Sequence, residues 1–274
     1  MSVVIWAIAA LFALYFLVMI ALILWEEKLI FLSGFSRSDE TKGDKTIAFT
    51  INGDGGSQNP IELEGFYIKR QSKTALLWFD GNCDNVWVAA SILKQISSDD
   101  YALLNSIDVI ALNYRGYGRS GGKPTQKALF EDAIALYDHI RGGYDRIIAI
   151  GRSLGSGVVC YLASERKLNG AILITPYNSI RALAKWRFGF FAAHIFIRNA
   201  FESDRYIKNV KTPFALLSVE NDRIIPNVYT DRLAKRVNVL ALNERLGDAT
   251  HASIASDLRL FAFIEKALKE FCNV

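Results

Sequence analysis

Residues 147–155 read Ile147-Ile148-Ala149-Ile150-Gly151-Arg152-Ser153-Leu154-Gly155, and a second apolar run, Val158-Val159-Cys160-Tyr161-Leu162, follows. The first run predicts a buried strand and the second a helix. A serine with glycine two positions away on either side fits a sharp strand-to-helix turn that holds its hydroxyl in a strained, exposed position. We therefore expect Ser153 to be a nucleophile. An ordinary glycine-rich turn between a strand and a helix is the alternative.

A serine hydroxyl needs a base to take its proton and a carboxylate to orient that base. Where such a turn carries the serine, the acid and then the histidine come later in the chain. His251 lies in a turn-rich loop just before the last predicted helix, as expected of the base. Asp222 follows a strand and is the first choice for the acid. Glu220 is the second choice and Asp248 the third.

The chain has only three histidines, which makes this test severe. His139 precedes the serine, near the end of a predicted helix, where a histidine usually interacts with the helix dipole. His194 lies in an aromatic stretch, and no strand-end carboxylate separates it from Ser153. His251 is thus the one histidine in the position expected of a base.

Acyl transfer also needs hydrogen-bond donors for the developing oxyanion. The backbone N–H of Leu154, directly after the serine, should supply one. The loop Asp80-Gly81-Asn82-Cys83-Asp84-Asn85 follows another strand, and Asn82 is the candidate for the second donor because Gly81 lets the backbone approach the site. A plain turn rich in Asx residues is the alternative for this loop.

Short apolar runs alternate with amphipathic stretches after residue 45, which predicts a mostly parallel sheet of eight strands covered by helices on both faces. The predicted strands are 46–51, 61–69, 74–79, 107–114, 146–150, 171–175, 214–219 and 239–242. The predicted helices are 86–96, 125–140, 154–164, 227–236 and 253–271.

The first apolar segment of the chain is too long for a strand of this sheet. Hydrophobic residues make up 51% of the 274, and Val3 to Trp25 is an unbroken apolar run of 23. As a helix this run is about 34 Å long, enough to cross the hydrocarbon core of a bilayer. We predict a single-pass membrane anchor over 3–25 and a linker over 26–45; a cleaved signal peptide is the alternative. Basic residues follow the run and none precedes it, which favours a cytoplasmic catalytic domain.

Charge and cysteine content exclude several other classes. The balance of 32 basic and 28 acidic residues gives a net charge of +4 with no basic run, so we predict no nucleic-acid partner. Cys83, Cys160 and Cys272 are far apart without zinc-site spacing, and we expect neither a metal nor an organic cofactor. The segment Gly116 to Gly121 fits a dinucleotide-binding pattern by spacing, but Pro124 comes before any helix, so we exclude that function.

Together these residues resemble the α/β-hydrolase superfamily, in particular its membrane-anchored serine hydrolases related to the bud-emergence homologues and the α/β-hydrolase-domain-containing proteins. The segments that carry the resemblance are Lys28–Phe31, Gly81-Asn82, Asn113–Pro124, Glu131-Asp132, Gly151–Gly155, Lys211–Pro213, Asp222 with Ile225-Pro226, and His251. The resemblance implies an α/β-hydrolase domain over 46–274 with a cap over 176–210. It also implies roles for the proposed site: Ser153 as nucleophile, Asp222 as acid, His251 as base, and Asn82 and Leu154 as oxyanion donors.

The chain departs from that family at three places. Asp80 stands where relatives have histidine, and a carboxylate pointing into the site would oppose oxyanion stabilisation. Thr250 replaces the usual glycine before the histidine, and Ser218-Val219-Glu220 replaces a His-Gly ending. None of these changes removes Ser153, Asp222 or His251.

The cap is rich in aromatic residues with arginine and lysine between them. It is either a lid that binds an acyl chain or touches the bilayer interface, or a helix packed on the core. The sequence as a whole predicts a membrane-anchored serine hydrolase acting on an ester, thioester or amide of an acyl or lipid-derived substrate. A catalytically weak anchored scaffold and an acyltransferase are the alternatives.

Overall fold

The computed structural model describes residues 2–35, 46–51, 60–96 and 99–273. Its eight strands form one sheet in the order β1-β2-β4-β3-β5-β6-β7-β8. The strands are β1 (Thr46–Ile51), β2 (Ile61–Ile68), β3 (Thr74–Phe79), β4 (Asp108–Leu112), β5 (Arg146–Arg152), β6 (Gly170–Ile174), β7 (Phe214–Val219) and β8 (Leu240–Leu246). β2 pairs antiparallel with β1 and β4, and the pairs from β4 to β8 are parallel. This is the mostly parallel eight-stranded sheet that the sequence predicts.

The helices are α1 (Ser2–Leu24), α2 (Glu26–Ile30), α3 (Val86–Gln95), α4 (Gln126–Ile140), α5 (Leu154–Glu165), α6 (Ile180–Phe188), α7 (Ser203–Tyr206), α8 (Asn227–Ala234) and α9 (Leu258–Cys272). Two buried apolar clusters lie on opposite faces of the sheet. One receives side chains of α4, α5 and α8, and the other those of α3 and α9. The core strands are apolar along their whole length because each face is covered, as in β3, where every residue is buried.

Several boundaries differ from the predicted ones. β8 continues to Leu246, four residues past the apolar run, because it is an edge strand with one open side that tolerates Asn243, Glu244 and Arg245. The last predicted helix is divided: residues 253–256 form a 3-10 turn, and α9 begins after Asp257, whose side chain caps it. α1 ends at Leu24, one residue short of the predicted segment.

The predicted linker differs more. Its first residues form α2, and Phe31, which follows, is 4% exposed within the core. Residues 26–31 are therefore packed on the domain, because Glu26 and Phe31 are buried in its body. Residues 36–45 of the predicted linker lie outside the described residues.

The cap consists of α6, short 3-10 turns over 189–191 and 193–196, and α7. Ser179 begins α6, where its hydroxyl accepts a hydrogen bond from the N–H of Ala182 at 3.0 Å. α6 has no fully buried residue, but its Ile180, Ala182 and Leu183 are partly buried and pack against the core. It lies across the carboxyl ends of the parallel strands, over Ser153, with which its residues line one cavity.

Candidate active site

Ser153 lies at the junction of β5 and α5 in a backbone conformation that is rare for a non-glycine residue. Its φ is +49° and its ψ is −113°. Such strain persists only where the surroundings enforce it. Here the N–H of Ser153 donates to the carbonyl of Ile174 on β6 at 2.9 Å. The turn therefore holds the serine at the carboxyl edge of the sheet.

The two glycines of the motif are required by close backbone packing. A Cβ on Gly151 would lie 2.3 Å from the carbonyl oxygen of Gly155. A Cβ on Gly155 would lie 2.2 Å from the carbonyl oxygen of Phe79, at the end of β3. The absence of side chains thus lets α5 begin directly against β3 and the loop after it.

The structure brings His251 between Ser153 and Asp222. The Nε2 atom of His251 is 3.0 Å from Oγ of Ser153, and its Nδ1 atom is 2.7 Å from Oδ2 of Asp222. Because a carboxylate accepts, Nδ1 carries the proton and Nε2 is left to accept from the serine hydroxyl. The arrangement can therefore move the serine proton onto the imidazole.

The Asp222 side chain is held by its own turn. Its Oδ1 atom accepts from the backbone N–H groups of Ile224 at 2.9 Å and Ile225 at 2.8 Å. The side chain is only 3% exposed. Both oxygens are thus occupied, and the one facing His251 is fixed in direction.

The other candidate acids and bases lie elsewhere. The Glu220 carboxylate is 56% exposed and faces Arg245, and Asp248 is 78% exposed and pairs with Arg259. His139 stacks edge-on against Phe49, 5.1 Å between ring centroids. His194 lines the cavity above the serine, and its buried Nδ1 atom has no partner among the described residues. Sequence reasoning dismissed His194 as a base but gave no signal of this position.

The loop after β3 lies against the start of α5. Leu154 is the first residue of that helix, so its N–H has no acceptor within the helix. Asn82 lines the same cavity as Ser153 and Leu154. The side-chain amide of Asn82 donates to the backbone carbonyl of Ile30, and the backbone carbonyl of Asn82 accepts from the Tyr117 hydroxyl at 3.0 Å. The backbone N–H of Asn82 makes no hydrogen bond within the described residues, which leaves it available to an oxyanion.

Arg152 links the two loops that flank Ser153, and sequence reasoning missed it. Its guanidinium pairs with the carboxylate of Asp84, which also accepts from the N–H of Gly81 at 2.8 Å. The same guanidinium donates to the carbonyl of His251 at 3.2 Å. The sequence did offer a signal, because Arg152 is a charged side chain directly before the serine of the Gly-x-Ser-x-Gly pattern.

Asp80 does not point into the site, although its position raised that concern. It is absent from the residues lining the cavity. Its Oδ1 atom accepts from the indole N–H of Trp78 at 2.7 Å, and Oδ2 has no partner among the described residues. Burial raises the pKa of the Asp80 carboxyl to about 7 and the charge of Asp84 adds to the rise, while Trp78 and Arg152 oppose it.

The glycine-rich segment after β4 has a structural role. Arg115 is 2% exposed and forms two-pronged hydrogen bonds with Asp132 of α4, the shortest at 2.6 Å. Gly116, Gly118 and Gly122 all have positive φ, between +52° and +75°. A turn of this kind, braced by a buried ion pair, leaves no helix N-terminus for a pyrophosphate.

A cavity of about 360 Å³ lies above Ser153. The cap and the loop before α8 contribute apolar side chains to its wall: Ile180, Leu183, Trp186, Phe188, Phe196, Ile197, Ile224 and Ile225. Leu22, Ile23, Leu29 and Ile30 come from the N-terminal helices. Most of the wall is therefore apolar. The polar or charged residues among the described lining are Glu26, Asn82, Ser153, Tyr177, Arg187, His194 and Arg223.

Known proteins share this fold. The esterase Pf2001 of Pyrococcus furiosus superposes with a TM-score of 0.62 at 18% identity, covering 85% of this chain and 98% of its own. A family model described as serine aminopeptidase, S33, matches residues 70–204, which include Ser153 but end before Asp222 and His251.

The chain has the α/β-hydrolase fold.

Three curated relatives agree with that assignment. The α/β hydrolase domain-containing protein WAV2 of Arabidopsis thaliana is 28% identical over 65% of this chain and 63% of its own length. An uncharacterized membrane protein of Saccharomyces cerevisiae is 27% identical over 65% of this chain and 64% of its own. The mouse lysophosphatidylserine lipase ABHD12 is 30% identical over 46% of this chain and 37% of its own. The chain thus spans less than two thirds of the length of these relatives.

Proposed function

We propose that this α/β hydrolase is a membrane-anchored serine hydrolase that cleaves carboxylic esters or thioesters through an acyl-enzyme on Ser153. The observation that supports it most is the position of His251, 3.0 Å from the serine hydroxyl and 2.7 Å from the Asp222 carboxylate. Hydrogen-bond reach from nucleophile to base and from base to carboxylate is what this chemistry requires. The proposed reaction needs no metal and no organic cofactor.

In the proposed reaction, Oγ of Ser153 bonds to the substrate carbonyl carbon as its proton passes to Nε2 of His251. Asp222 accepts a hydrogen bond from the Nδ1–H group of His251 and stabilises the imidazolium. The N–H groups of Leu154 and Asn82 stabilise the oxyanion. When the tetrahedral intermediate collapses, the bond to the alkoxide or thiolate breaks, and that group takes the proton from His251. A water molecule then releases the acid by the same steps.

The cavity favours an acyl group over a peptide. The match to a family model described as serine aminopeptidase suggests a peptide as the alternative substrate. An aminopeptidase must bind the charged amino end of its substrate. Glu26 is the only carboxylate among the described residues that line the cavity, and it already accepts four hydrogen bonds from Arg198 and Asn199. The apolar wall suits the chain of an acyl or lipid-derived ester.

The anchor is part of the proposal. α1 has 23 residues with a mean hydropathy of 2.9, long and apolar enough to cross a membrane. The similarity to a yeast membrane protein and to ABHD12, a lipase, agrees with an enzyme that works beside lipid. Because Lys28 follows α1 closely and Arg37, Lys42 and Lys45 come after it in the sequence, we propose the catalytic domain on the cytoplasmic side.

Turnover of p-nitrophenyl esters with acyl chains of two to sixteen carbons tests the function. The full-length protein in detergent should hydrolyse them, and Ser153→Ala should not. Release of nitrophenol by the wild type at the Ser153→Ala rate would favour a scaffold. Adding an alcohol acceptor separates hydrolysis from acyl transfer, since a transferase would form the new ester in preference to the free acid.

A further inference from the structure

The cap packs along the apolar helix α1. The hydroxyl of Tyr15 donates to the carbonyl of Phe190 at 3.0 Å. The Tyr15 ring lies 5.6 Å from the ring of Phe190 and 5.7 Å from that of Phe191, centroid to centroid. Nine residues separate Tyr15 from Leu24 at the end of α1, or about 14 Å along a helix axis. The cap therefore reaches well along α1, away from the catalytic domain.

The part of the cap that reaches α1 is apolar and uncovered. Residues 188–197 contain no Asp, Glu, Lys or Arg, and Arg187 and Arg198 flank them. We call these ten residues the cap tip. Phe190 is 80% exposed, Ile195 62% and Phe196 54%. Side chains of this size are unfavourable in water, whereas flanking arginines are typical of segments that enter a bilayer from its interface.

The surroundings of the tip follow from those of α1. Every side chain of α1 lies outside the core, as expected for a helix in lipid. Because Tyr15 touches Phe190 and Phe191, the medium around the middle of α1 is also the medium around the tip. If hydrocarbon surrounds α1, it surrounds the tip as well.

A buried carboxylate fixes α1 and α2 to the cap. Glu26 is 5% exposed. It accepts from the backbone N–H groups of Arg198 at 2.9 Å and Asn199 at 2.7 Å, and from the Asn199 side-chain amide at 3.0 Å. The guanidinium of Arg198 adds an ion pair at 3.3 Å. These bonds set both the height and the rotation of the helix relative to the tip.

Held in this way, α1 is a wall of the cavity. Leu22 and Ile23 of α1 line the same cavity as Ser153, and Phe196 and Ile197 of the tip line it too. We propose that α1 and the cap tip form one bilayer-embedded unit, and that the substrate acyl chain passes between them from the bilayer hydrocarbon to Ser153. The anchor then shapes the substrate route and is more than a tether. The inference rests on the proposed function for its substrate, but its geometry does not depend on catalysis.

Depth in the bilayer tests the embedded unit directly. A nitroxide label is attached to Phe190→Cys in the full-length protein with Cys83→Ser and Cys272→Ser, reconstituted in phosphatidylcholine vesicles. Collision rates with oxygen and with a water-soluble nickel complex report depth by electron paramagnetic resonance. Two reference labels bracket the result: Leu17→Cys on α1, 64% exposed, and Val239→Cys at the opposite edge of the sheet, 43% exposed.

The label at 190 should resemble the one at 17, with about tenfold fewer nickel collisions than at 239, because a polar complex is excluded from hydrocarbon. A label at 190 that behaves like the one at 239 overturns the proposal. Cys160 is fully buried and does not compete for the label.

Substrate entry is tested with two esters in the same vesicles, one long-chain and confined to the bilayer, the other p-nitrophenyl acetate in water. Phe190→Ser should lower the ratio of bilayer to soluble turnover about tenfold, since one aromatic side chain that the proposal places in lipid is removed. Val239→Ser, the matched control, should leave that ratio unchanged. An unchanged ratio in Phe190→Ser overturns lateral entry.

Labelling of Ser153 with a fluorophosphonate in each sample separates this proposal from the proposed function. If Ser153 reacts with the fluorophosphonate but the label at 190 lies in water, the membrane route is wrong and the proposed function stands. If Ser153 does not react but the label at 190 lies in hydrocarbon, the proposed hydrolase is wrong, and the substrate route falls with it. The bilayer-embedded unit then still stands.

Discussion

The guanidinium of Arg152 donates to the backbone carbonyl of His251, with 3.2 Å between Nη1 and the oxygen. The same guanidinium pairs with Asp84, whose carboxylate accepts from the N–H of Gly81 in the loop after β3. One side chain next to the nucleophile thus fixes both the loop of the base and the loop that carries Asn82. We regard Arg152 as a positioning residue.

Arg152→Lys should lower kcat for p-nitrophenyl esters about tenfold with little change in KM. A lysine carries a single point of charge and cannot keep both contacts, and small misplacements of catalytic groups cost kcat. Arg166→Lys is the control, because Arg166 also pairs with an aspartate, Asp138, but at the other end of α5. Equal kcat in the two variants would show that the bridge does not position the site.

Asp222→Asn should lower kcat about 10⁴-fold, because the amide favours the wrong tautomer of His251. The double variant Ser153→Ala with Asp222→Asn should be no slower than Ser153→Ala alone, since groups that act as one unit do not contribute additively. Rates of p-nitrophenyl acetate hydrolysis measure both. Additive losses would mean that Asp222 acts separately from Ser153.

Gly155→Ala should destabilise the fold by several kcal/mol, because its Cβ would lie 2.2 Å from the carbonyl oxygen of Phe79, a backbone atom that cannot move aside alone. Gly142→Ala is the control, since nothing lies within 4 Å of a Cβ there. Denaturant unfolding in detergent compares the two variants. Similar stabilities would contradict the close packing of α5 on β3.

Asp80→Asn should stabilise the protein increasingly as the pH rises from about 4 to about 7. The pKa of Asp80 rises from 3.8 to about 7 in the folded protein, so folding binds a proton in that window, and stability falls as the pH increases. Asparagine removes this loss, which is at most about 4 kcal/mol above pH 7. Thermal unfolding at pH 5 and pH 8 measures the difference.

Asp108→Asn is the control for Asp80→Asn. Burial alone would raise the pKa of Asp108, but hydrogen bonds from the Arg70 N–H, Tyr144, Tyr67 and the Ser72 N–H lower it below 3.8. The Asp108 carboxylate therefore stabilises the fold throughout pH 5 to 8, and its replacement should destabilise equally at both ends. A flat difference between wild type and Asp80→Asn over the same range would contradict the pKa of Asp80.

The sheet was predictable from sequence because strands covered on both faces are solid apolar runs bounded by turns. The edge strand β8 was predicted too short for the same reason, since Asn243, Glu244 and Arg245 are tolerated where one side is open. Ser153, Asp222 and His251 were predictable as neighbours because each follows a strand of one parallel sheet, and the carboxyl ends of such strands meet at one edge.

Contacts between distant segments were not predictable. In the sequence, Glu26 is one of several charged residues after the predicted anchor. Its hydrogen-bond donors, the N–H groups of Arg198 and Asn199, lie more than 170 residues away. No local pattern relates Tyr15 to Phe190, 175 residues apart. The sequence predicted the anchor and the aromatic cap separately, and only the folded chain joins them around one cavity.

The measurement that bears most directly on the serine hydrolase is labelling of the full-length protein with a fluorophosphonate, followed by peptide mapping of the adduct. We predict one adduct on Ser153, absent from Ser153→Ala and strongly slowed in a variant of His251. Folded wild-type protein that does not react, or an adduct on another residue, would contradict the hydrolase.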